Sequence, residues 1–351
     1  MTSPVLRLLD AALNRAREAA RSAEDYARFV APDAIAARGL KALRQALGRA
    51  GRGIPSSARD VGSDALKDHT LPSERLRRDP EDVARASLKR LQEALRSVEE
   101  FGKLLNGPLS GEAKRLRFEA YRIESALFTP PALKALREAR LYAVLSPELM
   151  PGDPFRGAKR ALEGGVQVLQ LRCKGPGWSD RAILALTGRI LPLCRRHEVP
   201  FFLNDRLDLA LASGADGVHL GQSDMSVSQA RTLAGRRLMI GISTHTERQI
   251  RQACRTEIDY LAVGPVFPTL TKPNRGAVGL ALLKRVPAGA PPVFAIGGIT
   301  QANLPQVLKA GASRVAVTGA AFRATDVRAS SRTLRRALDK SSRRAIGWRR
   351  G

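Results

Sequence analysis

Three polar side chains stand at alternating positions in the segment VQVLQLRCK. Gln170, Arg172 and Lys174 lie on one face of the predicted strand, because successive side chains of a strand point to opposite faces. An amide and two cations on one face suit an anionic, phosphorylated substrate. A strand end whose basic groups reach into solvent is the alternative.

Acidic residues follow the next two apolar runs. Asn204-Asp205 comes after VPFFL, and Asp224 closes the segment HLGQSD. Two carboxylates beside a cationic cluster could hold Mg²⁺, which takes one or two carboxylates and completes its shell with phosphate oxygens and water. Aspartates that cap loops are the alternative. His219 lies within a buried strand, and we expect it to be a satisfied core residue.

Hydroxyl groups and glycines follow the later apolar runs. Ser243, after LMIGI, could donate to an oxyanion or cap the next helix. The loop GPVFPTLTKP offers hydroxyls and a cation, a set that suits phosphate. The turns AIGGIT and VTGA lead into helices, and bare glycines let backbone N–H groups approach a phosphate. The residues concerned are Thr269, Thr271, Lys272, Gly298, Thr318 and Gly319.

These polar residues all follow short apolar segments that alternate with helical ones. The segments lack clean alternation of apolar and polar residues, which is typical of buried parallel strands. Eight βα units predict an α/β fold of the TIM (β/α)8 barrel type, whose active site lies at the carboxyl ends of the strands. The predicted strands are 141–145, 166–171, 199–203, 216–220, 238–242, 259–263, 292–296 and 314–318.

The chain before the barrel has helical periodicity and almost no strand signal. Asp79-Pro80 is a typical helix start, and apolar residues recur at helical spacing in four segments. A separate all-α domain is therefore expected. The predicted boundaries are an α-helical domain at 1–128, a linker at 129–139, the barrel at 140–323 and a basic C-terminal tail at 324–351.

The formal net charge of +26 raises the question of nucleic-acid binding. The basic residues are spread over many helices, and aromatic residues, at 5%, do not alternate with them. No DNA- or RNA-binding motif is present, so we do not expect a nucleic-acid partner.

No run of eighteen apolar residues exists, and charged residues interrupt the first thirty positions. We therefore expect no membrane contact and a cytoplasmic location. The three cysteines show no C-x-x-C spacing, and the four histidines show no metal-ligand spacing.

The motifs QLRxK, ND, HLGQxD, GxS, GPxFxTxTK and AIGGI, in this order, resemble the thiamine-phosphate synthase family. The resemblance covers the whole predicted barrel. It implies that hydroxymethylpyrimidine pyrophosphate is joined to a thiazole phosphate, with release of pyrophosphate. The family's mechanism is dissociative: pyrophosphate leaves first, and the thiazole nitrogen traps a pyrimidine-methyl cation. Such a step needs charge neutralisation and alignment rather than acid–base groups.

The resemblance also implies roles for the polar residues named above. The pyrimidine pyrophosphate would contact Gln170, Arg172, Lys174, Asn204, Ser243 and Lys272. The thiazole phosphate would contact Thr269, Thr271, Gly298, Thr318 and Gly319. Asp205 and Asp224 would hold Mg²⁺. The family usually has serine where Gly319 stands here.

The helical region resembles a domain fused upstream of the synthase in some bacteria, which has been proposed as a hydroxymethylpyrimidine-phosphate kinase. The resemblance rests on LDAALNRARE, EDYARF and RDVG. No G-x-x-x-x-G-K-[ST] loop supports a kinase.

Two other functions are open. Another barrel enzyme acting on a phosphorylated substrate, an isomerase or aldolase, would need a Schiff-base lysine or a Glu or His base inside the barrel, and we expect the strand interiors to offer none. A basic nucleic-acid-binding protein is the non-enzymatic alternative. The oligomeric state is not predicted.

Overall fold

A computed structural model describes residues 4–54, 76–105, 107–269 and 276–347. Contacts divide the chain into two units, Met1–Thr129 and Pro130–Gly351. No helix within the described ranges combines the length and the apolar character that a bilayer span requires.

The described residues of the first unit form four helices. They are α1 (Pro4–Phe29), α2 (Ala34–Ala50), α3 (Pro80–Gly102) and α4 (Leu109–Leu127). Short 3-10 turns follow α2 (Gly51–Gly53) and α3 (Lys103–Leu105). The side chains of Asp33 and Asp79 cap α2 and α3 by accepting backbone N–H bonds, as the sequence predicts for the second of them.

Leucine and alanine side chains fill the centre of this unit. Buried carboxylates also occur in this unit, and one of them, Glu24 of α1, accepts a 3.0 Å hydrogen bond from Arg44 of α2. A buried carboxylate requires such a partner, because its charge has lost its water. The expected all-α domain is confirmed.

The second unit is a closed barrel of eight parallel strands in the order of the sequence. The strands are β1 (Leu141–Leu145), β2 (Val168–Leu171), β3 (Phe201–Asn204), β4 (Gly217–Leu220), β5 (Met239–Thr244), β6 (Tyr260–Val263), β7 (Val293–Ile296) and β8 (Val315–Val317). β1 pairs with β8 in the register Tyr142↔Ala316, which closes the barrel. The predicted TIM-barrel fold is confirmed.

Helices surround the barrel. They are α5 (Pro131–Glu138), α6 (Pro154–Glu163), α7 (Asp180–Arg196), α8 (Leu207–Ser213), α9 (Val227–Ala234), α10 (Glu247–Ala253), α11 (Leu304–Lys309), α12 (Gly319–Phe322) and α13 (Val327–Gly347). Short 3-10 turns lie at Pro147–Leu149 and Leu280–Arg285. Between β6 and β7, the 3-10 turn Leu280–Arg285 is the helical element of the described residues.

Two predicted boundaries differ from the structure. The segment predicted as a linker, 129–139, contains α5, whose Leu136 is buried among the interior rings of the barrel. The segment predicted as a basic tail, 324–351, contains α13, which packs on α6 and buries Leu334 and Leu338 completely. Both helices belong to the barrel because each hides an apolar face that water would otherwise contact.

Four rings fill the barrel interior and are called the aromatic cluster: Tyr142, Phe202, Tyr260 and Phe294. Their neighbouring centroids lie 5.3–6.1 Å apart, mostly in edge-to-face geometry. Gly241 of β5 makes room for one of them. A Cβ at this position would overlap the Tyr260 ring and lie 2.5 Å from its hydroxyl oxygen.

Candidate active site

A cavity of about 540 Å³ opens at the carboxyl ends of the strands. Such a volume suits a small-molecule ligand. The predicted site residues that line it are Gln170, Arg172, Asn204, Ser243, Thr269, Gly298, Thr318 and Gly319. Thr271 and Lys272 lie outside the described residues. Lys174, Asp205 and Asp224 form a separate group, described below.

Gln170 begins a chain of hydrogen bonds that crosses the barrel interior. Its Nε2 donates to the Tyr142 hydroxyl over 2.9 Å, and that hydroxyl lies 2.7 Å from the hydroxyl of Tyr260. The Tyr260 hydroxyl lies 2.8 Å from His219 Nδ1, and His219 Nε2 lies 2.8 Å from Ser243 Oγ. All five side chains are buried, so each polar group is satisfied by the next.

The sequence did not predict that Tyr142 and Tyr260 belong to this chain of hydrogen bonds, and it predicted only part of the role of His219. His219 is a satisfied core residue, as expected, but it also lines the cavity. The strand interiors therefore do hold one imidazole within the described residues. Both ring nitrogens of His219 are engaged, however, so the ring is held rather than free to move a substrate proton. The alternation of side chains along β1 and β6 was the available signal for Tyr142 and Tyr260.

Arg172 is fixed at the cavity wall by a neighbouring loop. Its Nη1 lies 3.2 Å from Glu148 Oε1 and 3.5 Å from Ser146 Oγ, and its side chain is 12% exposed. A guanidinium held in this way presents its remaining N–H groups in a defined direction. The adjacent Cys173 supplies no nucleophile, because burial raises the pKa of its thiol to about 12.

Lys174, Asp205 and Asp224 meet where the loops after β2, β3 and β4 come together. Lys174 Nζ forms an ion pair with Asp205 Oδ2, and Asp205 adopts the left-handed conformation at φ 63°. Asp224 Oδ2 accepts a 2.6 Å hydrogen bond from the backbone of Gly221. Burial, followed by the nearby Asp205 carboxylate, raises the pKa of Asp224. The two carboxylates repel each other, and a cation bound between them would relieve that repulsion.

The Asp205–Asp224 pair fits a magnesium ion that takes only two of its ligands from the protein. No cluster of three or more His, Cys, Asp or Glu ligands occurs in the part of the chain that the structure describes. A Mg²⁺ ion bound here would therefore take its remaining oxygen ligands from water and from a phosphorylated substrate, as this ion commonly does.

Ser243 is held from two sides. β5 extends beyond the predicted 238–242, so Ser243 lies inside the strand and not in the following loop. Gln222 Nε2 donates to its carbonyl oxygen over 2.6 Å. The next histidine along the chain, His245, also lines the cavity and binds the Gly264 carbonyl oxygen through Nδ1. The sequence offered no sign of this second contact.

The loops after β6 and β7 pack backbone against backbone. Val266 N donates to Ile296 O over 2.8 Å, and Phe267 N donates to Gly297 O over 3.1 Å. Gly298 has φ 62°, and a Cβ there would lie 2.7 Å from the Cβ of Phe267. Only glycine fits at this position, so the turn leaves backbone rather than side chains facing the cavity.

Thr318 and Gly319 close the cavity after β8. A second residue from this region, Arg323, also lines the cavity although sequence reasoning assigned it no role. Its side chain is exposed, and it has no ion pair with any residue in the described ranges. An arginine directly after the short helix α12 was the signal. It adds a cation to the side of the cavity formed by the β7 and β8 loops.

Comparisons with known proteins divide the chain at the same place as the contacts. Residues 141–321 match the family model described as thiamine monophosphate synthase, and residues 7–126 match the ThiD2 family model.

Relatives resemble the chain over nearly its full length. The thiamine-phosphate synthase of Gloeobacter violaceus is 43% identical over 323 residues, which cover 92% of this chain and 93% of the relative. The thiamine-phosphate synthase of Thermosynechococcus vestitus is 40% identical, with 95% of each chain covered.

A solved structure resembles the barrel. The thiamine phosphate pyrophosphorylase from Pyrococcus furiosus is 33% identical, with a TM-score of 0.54, and the similarity covers 59% of this chain and 98% of that one.

Proposed function

This chain belongs to the thiamine monophosphate synthase family, and from that premise we propose how its barrel joins the two halves of thiamine phosphate. The enzyme is a transferase. The pyrimidine-methylene carbon loses its bond to the pyrophosphate oxygen, which leaves with both bonding electrons. The thiazole nitrogen then forms the new bond to that carbon, giving thiamine phosphate and free pyrophosphate.

One observation carries the assignment of the site. Eight residues that the family's motifs supply line one cavity, and they come from β2, β3, β5 and the loops after β6, β7 and β8. The polar groups of this cavity include the Arg172 guanidinium and the hydroxyls of Ser243, Thr269 and Thr318. This composition suits a step in which negative charge builds up on a leaving pyrophosphate, because such a step is accelerated by fixed donors aimed at that charge.

The pyrophosphate of the pyrimidine substrate would lie between Arg172 and Lys174, with Ser243 donating to it. Lys272 would join this set. Asp205 and Asp224 would hold Mg²⁺, whose charge, when the ion is bound, stabilises the departing pyrophosphate. The ion pair of Lys174 with Asp205 supports the placement of the pyrophosphate, because it holds this cation beside the proposed metal ligands.

The pyrimidine ring would lie against Gln170 and Asn204, deeper in the cavity. The thiazole phosphate would lie against the β7 and β8 loops, where Gly298, Thr318 and Gly319 contribute backbone and hydroxyl groups, together with Thr269 and Thr271. Arg323 adds a positive charge on this side of the cavity. Placing the two substrates on opposite walls aligns the nitrogen with the reacting carbon, and such alignment lowers the entropic part of the barrier.

The partners are thus two small phosphorylated molecules, and a cytoplasmic location is part of the same proposal. An isomerase or aldolase function finds less support, because the described strand interiors contain no lysine and their one histidine is hydrogen-bonded at both nitrogens.

The direct experiment incubates the purified full chain with both substrates and Mg²⁺ and measures thiamine phosphate by chromatography. Formation of thiamine phosphate with an equal amount of pyrophosphate is expected. Reactions that lack either substrate are the controls. If neither product forms while the protein is folded, the proposed function is wrong.

A further inference from the structure

With the amide nitrogen of Gln170 facing Tyr142, one direction of the hydrogen-bond chain Gln170–Tyr142–Tyr260–His219–Ser243, called here the interior chain, gives every donor an acceptor. Gln170 Nε2 donates to the Tyr142 hydroxyl. The 2.7 Å contact between the Tyr142 and Tyr260 hydroxyls allows either direction. Because Tyr142 already accepts from Gln170 and has a single proton, we assign that proton to the Tyr260 hydroxyl. Tyr260 therefore uses its own proton on His219 Nδ1, 2.8 Å away. Every buried donor in this arrangement has an acceptor, as buried polar groups require.

The direction of the chain fixes the tautomer of His219. Since Nδ1 accepts from Tyr260, the ring proton lies on Nε2 and is donated to Ser243 Oγ over 2.8 Å. Ser243 then accepts from His219, and its own hydroxyl proton is not used within the interior chain. Because Ser243 lines the cavity, that proton can be donated to a ligand.

We propose that His219 is a positioning residue, which holds the Ser243 hydroxyl as a donor toward the leaving pyrophosphate. This inference rests on the proposed function for the identity of the acceptor. In the opposite direction, Ser243 would donate to His219 Nε2 and would turn only its lone pairs to the cavity, where they would repel an anionic oxygen. The interior chain thus selects between a favourable and an unfavourable orientation of one hydroxyl.

The surroundings keep the interior chain in place. The His219 and Tyr260 rings are stacked at 5.5 Å with an interplanar angle of 27°, and Gly241 leaves the space that the Tyr260 ring occupies. Gln222 holds the backbone of Ser243. Burial raises the pKa of both Tyr142 and Tyr260, so their hydroxyl protons stay bound over the range in which enzymes operate.

The tautomer can be measured in the resting protein. In full-length protein labelled with ¹⁵N-histidine, two-bond ¹H–¹⁵N spectra distinguish a protonated Nε2 from a protonated Nδ1, and the His219→Gln variant assigns the signal among the four histidines. Protonation of Nε2 alone is expected. In Tyr260→Phe, which keeps the ring but removes the donor to Nδ1, the tautomer signal should shift toward a mixture. Protonation of Nδ1, or an unchanged spectrum in Tyr260→Phe, overturns the proposal.

The kinetic arm tests whether His219 acts through Ser243. Ser243→Ala should lower kcat about 10- to 100-fold, the value of one hydrogen bond to a charged group, with little change in KM. His219→Leu should lower kcat by a similar factor, and His219→Gln, which retains an N–H donor, should recover part of the loss. The double variant should be no more than about 3-fold worse than the poorer single one. Losses that multiply would mean that the two residues act independently, against the proposal.

Phe294→Leu is the matched control, because Phe294 belongs to the same aromatic cluster but its side chain has no polar group that could join the interior chain. It should lower the thermal midpoint and leave kcat within about 2-fold. If His219→Leu does not fold, His219→Gln, Tyr260→Phe and the spectra of the unmodified protein still decide the question. Since the spectra need no turnover, a wild-type protein that forms no thiamine phosphate would refute the proposed function without deciding the tautomer.

Discussion

Replacing Gly241 with alanine tests the link between the barrel interior and the active site. The new methyl group would overlap the Tyr260 ring and lie 2.5 Å from its hydroxyl oxygen, whereas ordinary contacts begin near 3.4 Å. Because the ring atoms Cζ and Cε1 would lie closer still, the ring would have to move by more than about 1 Å. It is completely buried and packed against Tyr142, Phe202 and Phe294, so the neighbouring rings would have to move with it.

The cost can be assembled from its parts. Overpacking a well-filled core destabilises a protein by about 1–3 kcal/mol. Displacing the Tyr260 hydroxyl also weakens its hydrogen bonds to Tyr142 and His219, each worth about 1 kcal/mol. The sum is about 3–5 kcal/mol, a large part of the 5–15 kcal/mol that is typical of a folded domain. For a unit of this size it corresponds to a fall of about 6–20 °C in the thermal midpoint.

Scanning calorimetry and kcat measured below the transition are the two assays. Gly188→Ala is the matched control, because Gly188 lies within α7 and a Cβ there would meet no atom within 4 Å. Alanine in a helix is favoured over glycine by up to about 1 kcal/mol, so this variant should melt slightly higher than the wild type with unchanged activity. A Gly241→Ala protein with the same thermal midpoint as the wild type would refute the packing argument. One that melts lower but turns over normally would refute the link to the site.

Four further outcomes follow from the structure. Asp205→Ala and Asp224→Ala should each remove most activity, with poor rescue by excess Mg²⁺, and normal turnover in both would exclude the metal site. Without Mg²⁺, Asp224→Asn should melt higher than the wild type at pH values above the raised folded-state pKa of Asp224, because only the wild type then bears a partly buried charge. The difference in melting temperature should vanish at pH values below the pKa of this carboxyl in the unfolded chain. Equal midpoints at neutral pH would contradict the repulsion between Asp224 and Asp205. Gly298→Ala should raise KM for the thiazole phosphate at least about 10-fold, because its Cβ would overlap the Pro268 carbonyl oxygen, and an unchanged KM would place that substrate elsewhere. Ending the chain at Arg323 should unfold the barrel, since α13 buries two leucines worth about 1.5–3 kcal/mol each, and a folded fragment by circular dichroism would show that α13 is dispensable.

The strands could be predicted from the sequence because parallel strands are covered on both faces. A short, uninterrupted apolar segment such as that of β6 is typical of a strand that is buried on both faces. The polar residues that follow the strands could be assigned to one end of the barrel for the same topological reason. The meeting of Lys174 with Asp205, and of Asp205 with Asp224, follows from adjacent loops.

Other features depend on reach and packing, which a sequence does not show. Nothing in the order of residues reveals that the Tyr142 and Tyr260 hydroxyls meet in the barrel interior, since their residues are 118 positions apart. The apolar residues of α13 stand among many arginines, so the sequence predicts a helix-prone, solvated tail and gives no sign that Leu334 and Leu338 are buried. For α5, the sequence leaves a short helix and a linker open, because eight residues carry too little periodicity to predict a packed face.

The pairing of β1 with β8 has a consequence for synthesis of the chain. The two strands that close the barrel are among the last elements to meet, because β1 begins at Leu141 and its partner only at Val315. During translation the helical unit is complete well before the barrel can close. The growing sheet meanwhile exposes two unpaired edges, and an exposed edge is a template for wrong pairing. We expect this enzyme to depend on chaperones more during its synthesis than its folded stability alone would suggest.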